Sequence, residues 1–123
     1  MVLQKRKLGK TGVEVTVLGL GGEGILRTFG HEKEAYSLIN RALDLGITYF
    51  ESARAYAGSE AYYRLALRER RKEIFLASKS HARNKRGALG HIHWRVGRFS
   101  KDECQLLERD PTLALLPRRG DEE

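Results

Sequence analysis

Apolar and polar positions alternate along "VEVTV", where Val13, Val15 and Val17 stand opposite Glu14 and Thr16, the period of two that a half-buried strand requires. A second short run, "QKRKL" at 4–8, precedes it, and the intervening "GKTG" has the glycines of a tight turn, so residues 4–17 read as a β-hairpin. The apolar, glycine-rich "LGLGG" at 18–22 reads as a buried strand, with a loop running on to about His31. From Glu32 to Leu45 the period changes to that of a helix: Ala35, Leu38, Ile39, Ala42 and Leu43 share one face, and Gly46 stands where a left-handed C-terminal cap belongs. "ITYFE" at 47–51 has the β-branched and aromatic residues of a strand. Ser59 predicts the cap of a second helix reaching about Arg70, with Tyr62, Leu65, Ala66 and Glu69 on one face, and "EIFLASK" at 73–79 is the third strand.

The order is hairpin, strand, helix, strand, helix, strand, and connections this short between such elements fit right-handed parallel crossovers. This is α/β architecture. After Lys79 the pattern weakens. Leu89, Ile92, Val96 and Phe99 have helical spacing, yet Gly87, Gly90 and Gly97 would each cost a helix interior about 1 kcal/mol relative to alanine. From Lys101 two prolines and an acidic end predict a short helix and then a poorly ordered tail. The expected organisation is therefore a patterned segment, 1–89, and a divergent one, 90–123.

A chain of 123 residues has room for one small domain. No apolar run approaches the roughly 20 residues that span a bilayer, and no apolar core of a signal peptide follows the basic N-terminus, so a soluble, cytoplasmic protein is expected. The lone Cys104 excludes an intrachain disulfide and argues against a cysteine-ligated metal or iron–sulfur site. A net charge of +7 raises the question of an anionic partner, but the densest basic run, "RERRKE" at 68–73, sits at a helix end where cations complement the dipole. No reader motif for nucleic acid accompanies it, and nucleic-acid binding is not expected.

"GLGGEG", Gly19 to Gly24, matches the G-x-G-x-x-G pattern of dinucleotide-binding turns. That turn needs a helix opening directly after the glycines and a ribose-binding acid about 20 residues on, at the next strand end. Here seven residues, Ile25 to His31, intervene before the helix; Asp44 has nearly the right spacing but lies inside that helix, and Glu51 ends the next strand 27 residues after Gly24. A pyrophosphate cradle is not expected from these glycines.

Alternation places Ile47, Tyr49 and Glu51 on one face of their strand, and Phe75, Ala77 and Lys79 on one face of theirs. If the strands are neighbours, an acid and a base meet at their C-terminal ends, where parallel α/β folds do their chemistry, with Tyr56 in the loop between. An ammonium near a tyrosine hydroxyl favours the phenolate, which makes a tyrosine a usable general acid. The alternative reading of the same residues is an ordinary strand-end salt bridge and a loop tyrosine.

The segments "LGKTGVEVTVLGLGG", "INRALDLGITYFESARAYAGSE" and "RRKEIFLASK" resemble, in order, the first third of the aldo-keto reductase family over about residues 5–85. The resemblance implies a partial TIM (β/α)8 barrel, an N-terminal β-hairpin plus about three β/α units, with the hairpin plugging the barrel bottom. It implies NADPH as cofactor and a small carbonyl compound as substrate. By it, Tyr56 corresponds to the proton-donating tyrosine, Lys79 to the lysine that assists it, and Glu51 to the aspartate of a "D-T-A-x-x-Y" motif, here "E-S-A-R-A-Y". Gly21 and Gly22 become candidates for close approach to the nicotinamide.

Several features depart from the family. Glutamate replaces aspartate at 51, and "LLERDP" lies where the resemblance leads one to look for a histidine closing the fourth strand. His91 and His93 come too early for that role, and they read as solvated histidines rather than metal ligands. A whole barrel takes about 250 residues, and the family's phosphate site is built from its C-terminal loops. The expectation is a truncated reductase whose ending after about residue 89 is frame-shifted or unrelated. Two functions follow: NADP-dependent reduction of an aldehyde or ketone to an alcohol, or an inactive fragment acting by protein association through unpaired sheet edges.

Overall fold

In the computed structural model, which describes residues 2–91, β1 (Lys5–Lys7) pairs antiparallel with β2 (Glu14–Thr16), Lys5 opposite Thr16 and Lys7 opposite Glu14. The turn between them is closed by the Leu8 N–H donating to Val13 O at 2.9 Å, with Gly9 and Gly12 both at positive φ, which only glycine adopts without cost. The hairpin read from the alternation is thus present, with its strands shorter than the sequence runs.

Three further strands, β3 (Gly19–Leu20), β4 (Tyr49–Glu51) and β5 (Phe75–Ala77), form a parallel sheet in the order β3-β4-β5. The register sets Gly19 beside Tyr49, Tyr49 beside Phe75, and Glu51 beside Ala77. Helix α1 (Glu32–Asp44) connects β3 to β4, and α2 (Ser59–Leu67) followed by a 3₁₀ segment (Arg68–Glu73) connects β4 to β5. The expected chain of β/α units is present. Thr16 and Thr48 tie the hairpin to the N-terminal end of β4: each backbone N–H donates to the other's Oγ1 at 3.0 Å.

The core lies on the helix side of the sheet. Ala35, Ile39, Ala42 and Leu43 of α1 and Tyr62, Tyr63, Ala66 and Leu67 of α2 are buried, and the two helices pack against one another. Phe50, on the face of β4 opposite Glu51, meets the Tyr63 ring edge-on at 6.0 Å. The Tyr63 hydroxyl donates to Leu20 O at 3.1 Å, joining α2 to β3. Burial raises the Tyr63 phenol above its ordinary ionisation range.

Two local details differ from the sequence reading. Gly58, not Ser59, occupies the cap position of α2, because the Ser59 hydroxyl is turned inward to Ser52 Oγ at 2.9 Å. The α-helix also ends at Leu67, and the following 3₁₀ segment leaves Glu69 exposed. Of the basic run there, Arg70 contacts Asp44 at 2.8 Å and Glu73 at 3.0 Å, and Arg71 donates to Ile74 O.

The chain groups into two units, Met1–His81 and the part from Ala82 onward. In the second, residues 85–91 are helical despite Gly87 and Gly90, and Asn84 caps them, its Oδ1 accepting from Gly87 N–H at 2.8 Å. His93, Cys104 and the predicted tail lie outside the described residues. Among the described residues no helix is long and apolar enough to cross a membrane.

Candidate active site

Two faces of the parallel sheet do different work. Opposite the helices, Tyr49 and Phe75 stack at 6.0 Å, and Gly19 leaves room for that tyrosine: a Cβ there would lie 2.6 Å from the Tyr49 ring. One step further along the same face, at the C-terminal ends of the strands, the residues become ionisable.

Glu51 ends β4 with its side chain largely buried. Its Oε2 accepts a hydrogen bond from Gly22 N–H at 3.3 Å, and its buried Oε1 is ion-paired with Lys79 Nζ. Lys79 lies two residues past β5, and its Nζ also donates to Ser52 O at 3.2 Å. The acid and base that strand alternation put on one face are therefore in contact, across neighbouring strands. A charge withdrawn from water needs such a counter-charge to be tolerated.

Tyr56 sits in the loop between β4 and α2. Lys79 Nζ lies over its ring, 4.7 Å from the centroid. The loop is wound tightly: Tyr56 N–H donates to Ala53 O at 3.0 Å, and Ser59 N–H donates to Tyr56 O at 2.8 Å. Ala57, next in sequence, has φ +39°, a left-handed conformation seen at no other non-glycine residue among those described. Beneath the loop the buried Ser52 and Ser59 hydroxyls bond each other.

Gly21 and Gly22 lie beside this cluster. Gly22 is buried and fitted to its neighbours: an added Cβ would stand 2.6 Å from Ser59 Oγ and 2.7 Å from Glu51 O. Its N–H is taken by Glu51. Gly21 is exposed, and a Cβ added there would meet Glu51 Oε2 at 3.4 Å. After Gly24 the chain makes a three-residue 3₁₀ turn (Gly24–Leu26), and α1 begins only at Glu32, so the next α-helix does not open directly after the glycines as a dinucleotide turn requires. Asp44, the acid nearest the dinucleotide spacing, pairs with Arg70. Among the described residues no cluster of His, Cys, Asp and Glu could hold a metal.

One side chain at the site has no counterpart in the sequence reading. The Arg27 guanidinium lies over the Tyr56 ring, 5.4 Å from its centroid, and pairs with Glu23. It reaches the site because the β3–α1 loop is sewn to the β4–α2 loop: Gly58 N–H donates to Thr28 O at 3.0 Å, and the Tyr62 hydroxyl accepts from His31 N–H at 3.0 Å. The loop 25–31 has no periodicity from which that contact could be read.

The model of the Aldo/keto reductase family matches residues 17–107, continuing past residue 89, where the resemblance of individual segments fades. Among curated sequences the chain is 34% identical over 91 residues to the uncharacterized oxidoreductase YqkF of Bacillus subtilis (strain 168), covering 72% of this chain and 28% of that protein. A solved structure from Pseudomonas aeruginosa carrying an aldo-keto reductase assignment is 30% identical, with a TM-score of 0.69 over 77% of this chain and 41% of that one. The thermostable aldo-keto reductase Tm1743, solved with the inhibitor epalrestat, is 27% identical with a TM-score of 0.68, over 79% of this chain and 39% of its own. The chain thus spans less than half the length of these relatives, and its sheet and helices are part of a TIM barrel of their kind.

Proposed function

The chain belongs to the aldo/keto reductase family, and from that premise we propose that it serves NADP-dependent reduction of an aldehyde or ketone, with Tyr56 giving the proton to the carbonyl oxygen. One observation carries the reading: at the ends of adjacent parallel strands, Glu51 holds Lys79, and Lys79 stands over Tyr56. A salt bridge needed only to join two strands would not require a tyrosine under its ammonium.

The residues present fit the nicotinamide end of such a cofactor. Gly21 is exposed next to the Glu51 carboxylate, which leaves backbone approachable at the strand end, and Gly21, Gly22, Tyr56 and Lys79 would border the ring. Bound NADPH would supply the hydride. The chain's own contribution is the proton. As it leaves the Tyr56 oxygen, negative charge grows on the phenol, and the Lys79 ammonium favours that charge. Glu51 and Ser52 O fix the ammonium in place, and the Ser52–Ser59 contact holds the loop that carries the tyrosine. Such positioning matters because displacements of about 1 Å are costly to catalysis.

The test is a titration of the purified chain with NADPH, followed by nucleotide fluorescence, and by NADPH consumption with a generic aldehyde. Tyr56→Phe should lower turnover by at least a hundredfold, the scale of one general acid, while leaving NADPH affinity within about twofold. Absence of NADPH binding at millimolar concentration, or unchanged turnover in Tyr56→Phe, would refute the reading.

A second reading, association with another copy through the sheet, is favoured by the exposure of Val17 and Leu18 at the entry to β3, one of the two edges of the described sheet. Light scattering across a hundredfold range of concentration tests it; a mass that stays monomeric throughout removes it.

A further inference from the structure

Among the described residues, Lys79 and Arg27 both face the Tyr56 ring, and they differ in how firmly they are engaged. Lys79 is committed: its Nζ pairs with the buried Oε1 of Glu51 and donates to Ser52 O. Arg27 is not. Its partner, Glu23, lies four residues back on the same turn, the contact uses one Nη and one carboxylate oxygen, and the two side chains are 50% and 57% exposed. Exposed pairs of this kind hold weakly and exchange with other anions. A guanidinium has five donors in a flat fork that matches a carboxylate with two parallel hydrogen bonds.

The backbone around Arg27 is anchored while its head is exchangeable. Its own N–H donates to Gly24 O at 3.1 Å, the Thr28 hydroxyl donates to Ile25 O at 2.7 Å, and Thr28 O is held by Gly58 N–H. Ile25 and Phe29, two residues to either side of Arg27, are large apolar side chains left 57% and 75% exposed. The loop therefore offers an exchangeable guanidinium beside the candidate proton donor, together with uncovered apolar surface.

We propose that Arg27 is a substrate-binding residue, and that the site selects carbonyl compounds that also carry a carboxylate. The carboxylate displaces Glu23 from the guanidinium, and the apolar part of the molecule lies against the loop. The chemical class is an oxo acid or an aldehyde acid with an apolar body, of which a carboxylated aryl aldehyde is the simplest form. The selectivity rests on the reductase reading for its reaction, but the recognition step needs only the anion.

The probes are benzoate and its uncharged isostere benzamide, titrated by calorimetry into the full chain. Benzoate should bind at least tenfold more tightly than benzamide. Arg27→Met, which keeps an unbranched apolar stem and removes the fork, should abolish that preference; Arg27→Lys should retain part of it. Glu23→Gln, which frees the guanidinium, should strengthen benzoate binding, an effect that a merely structural Arg27–Glu23 pair would not produce. Equal affinity for the two probes, failure of both to bind, or a preference that survives Arg27→Met overturns the proposal. The wild-type comparison stands even if a variant does not fold. NADPH-dependent reduction of benzaldehyde, measured separately, tests the reductase reading: if it fails while the benzoate preference holds, only that reading falls.

Discussion

Gly22 has neighbours on three sides where a side chain would be: Ser59 Oγ at 2.6 Å, Glu51 O at 2.7 Å and Ser52 Cα at 2.9 Å from an added Cβ. Two of these belong to backbone and cannot swing away. Gly22→Ala should therefore destabilise the fold by about 1–3 kcal/mol, the range for overpacking, read as a lower midpoint in urea denaturation at unchanged slope. The strand end must stay this close for Gly22 N–H to reach Glu51 Oε2. The glutamate at 51, one methylene longer than the family's aspartate, makes that contact while its other oxygen pairs with Lys79. As candidates, Glu51 and Lys79 were legible in the sequence because strand alternation puts both at strand ends on one face, and Tyr56 because a short motif joins it to Glu51. Arg27 was not, since it meets Tyr56 only where two loops from different parts of the chain are stitched together at Thr28 and Gly58.

Helix α1 shows how much one glycine specifies. Gly46 stands at φ +87°, its N–H donating to Leu43 O at 2.8 Å, and Ile47 N–H donates to Ala42 O at 3.1 Å, the paired bonds of a Schellman end. These bonds satisfy carbonyls the helix would otherwise leave open and turn the chain directly into β4. Gly46→Ala meets no steric neighbour, but it forces a Cβ into the left-handed region at a cost of about 1–2 kcal/mol. Thermal unfolding of that variant should shift down by several degrees, with the far-ultraviolet spectrum of the folded state unchanged. The end of α1 was readable because the signal is local. The start of α2 was not: Ser59 is a good cap by type, but its hydroxyl is drawn to Ser52, seven residues back, and Gly58 takes the cap position with its N–H bound to Thr28 O.

At the scale of the molecule, stability depends on a core in which Tyr63 of α2 meets Phe50 of β4 and bonds Leu20 of β3. Its phenol is pushed well above the ordinary value of 10.0 by burial, so the folded state keeps a proton that the unfolded chain releases. The stabilising contribution is whole below pH 10 and is lost as pH rises above it, by at most about 1.4 kcal/mol per pH unit for this one group. Denaturation midpoints measured between pH 8 and 11.5 should fall more steeply above pH 10 in the native chain than in Tyr63→Phe; parallel curves would remove this role for Tyr63. By itself the sequence determined what depends on neighbours along the chain: the period-two and helical stretches, the glycine stop after α1, the α/β order, and the candidate acid and lysine at strand ends with a tyrosine in the loop between. Only the tertiary structure decided which of those groups touch, that Lys79 lies over the Tyr56 ring, that Gly22 is filled in by Ser59, and that Arg27 joins the site. Local periodicity is dictated by backbone geometry, whereas contacts between residues tens of positions apart depend on the register and packing of elements that no single segment encodes.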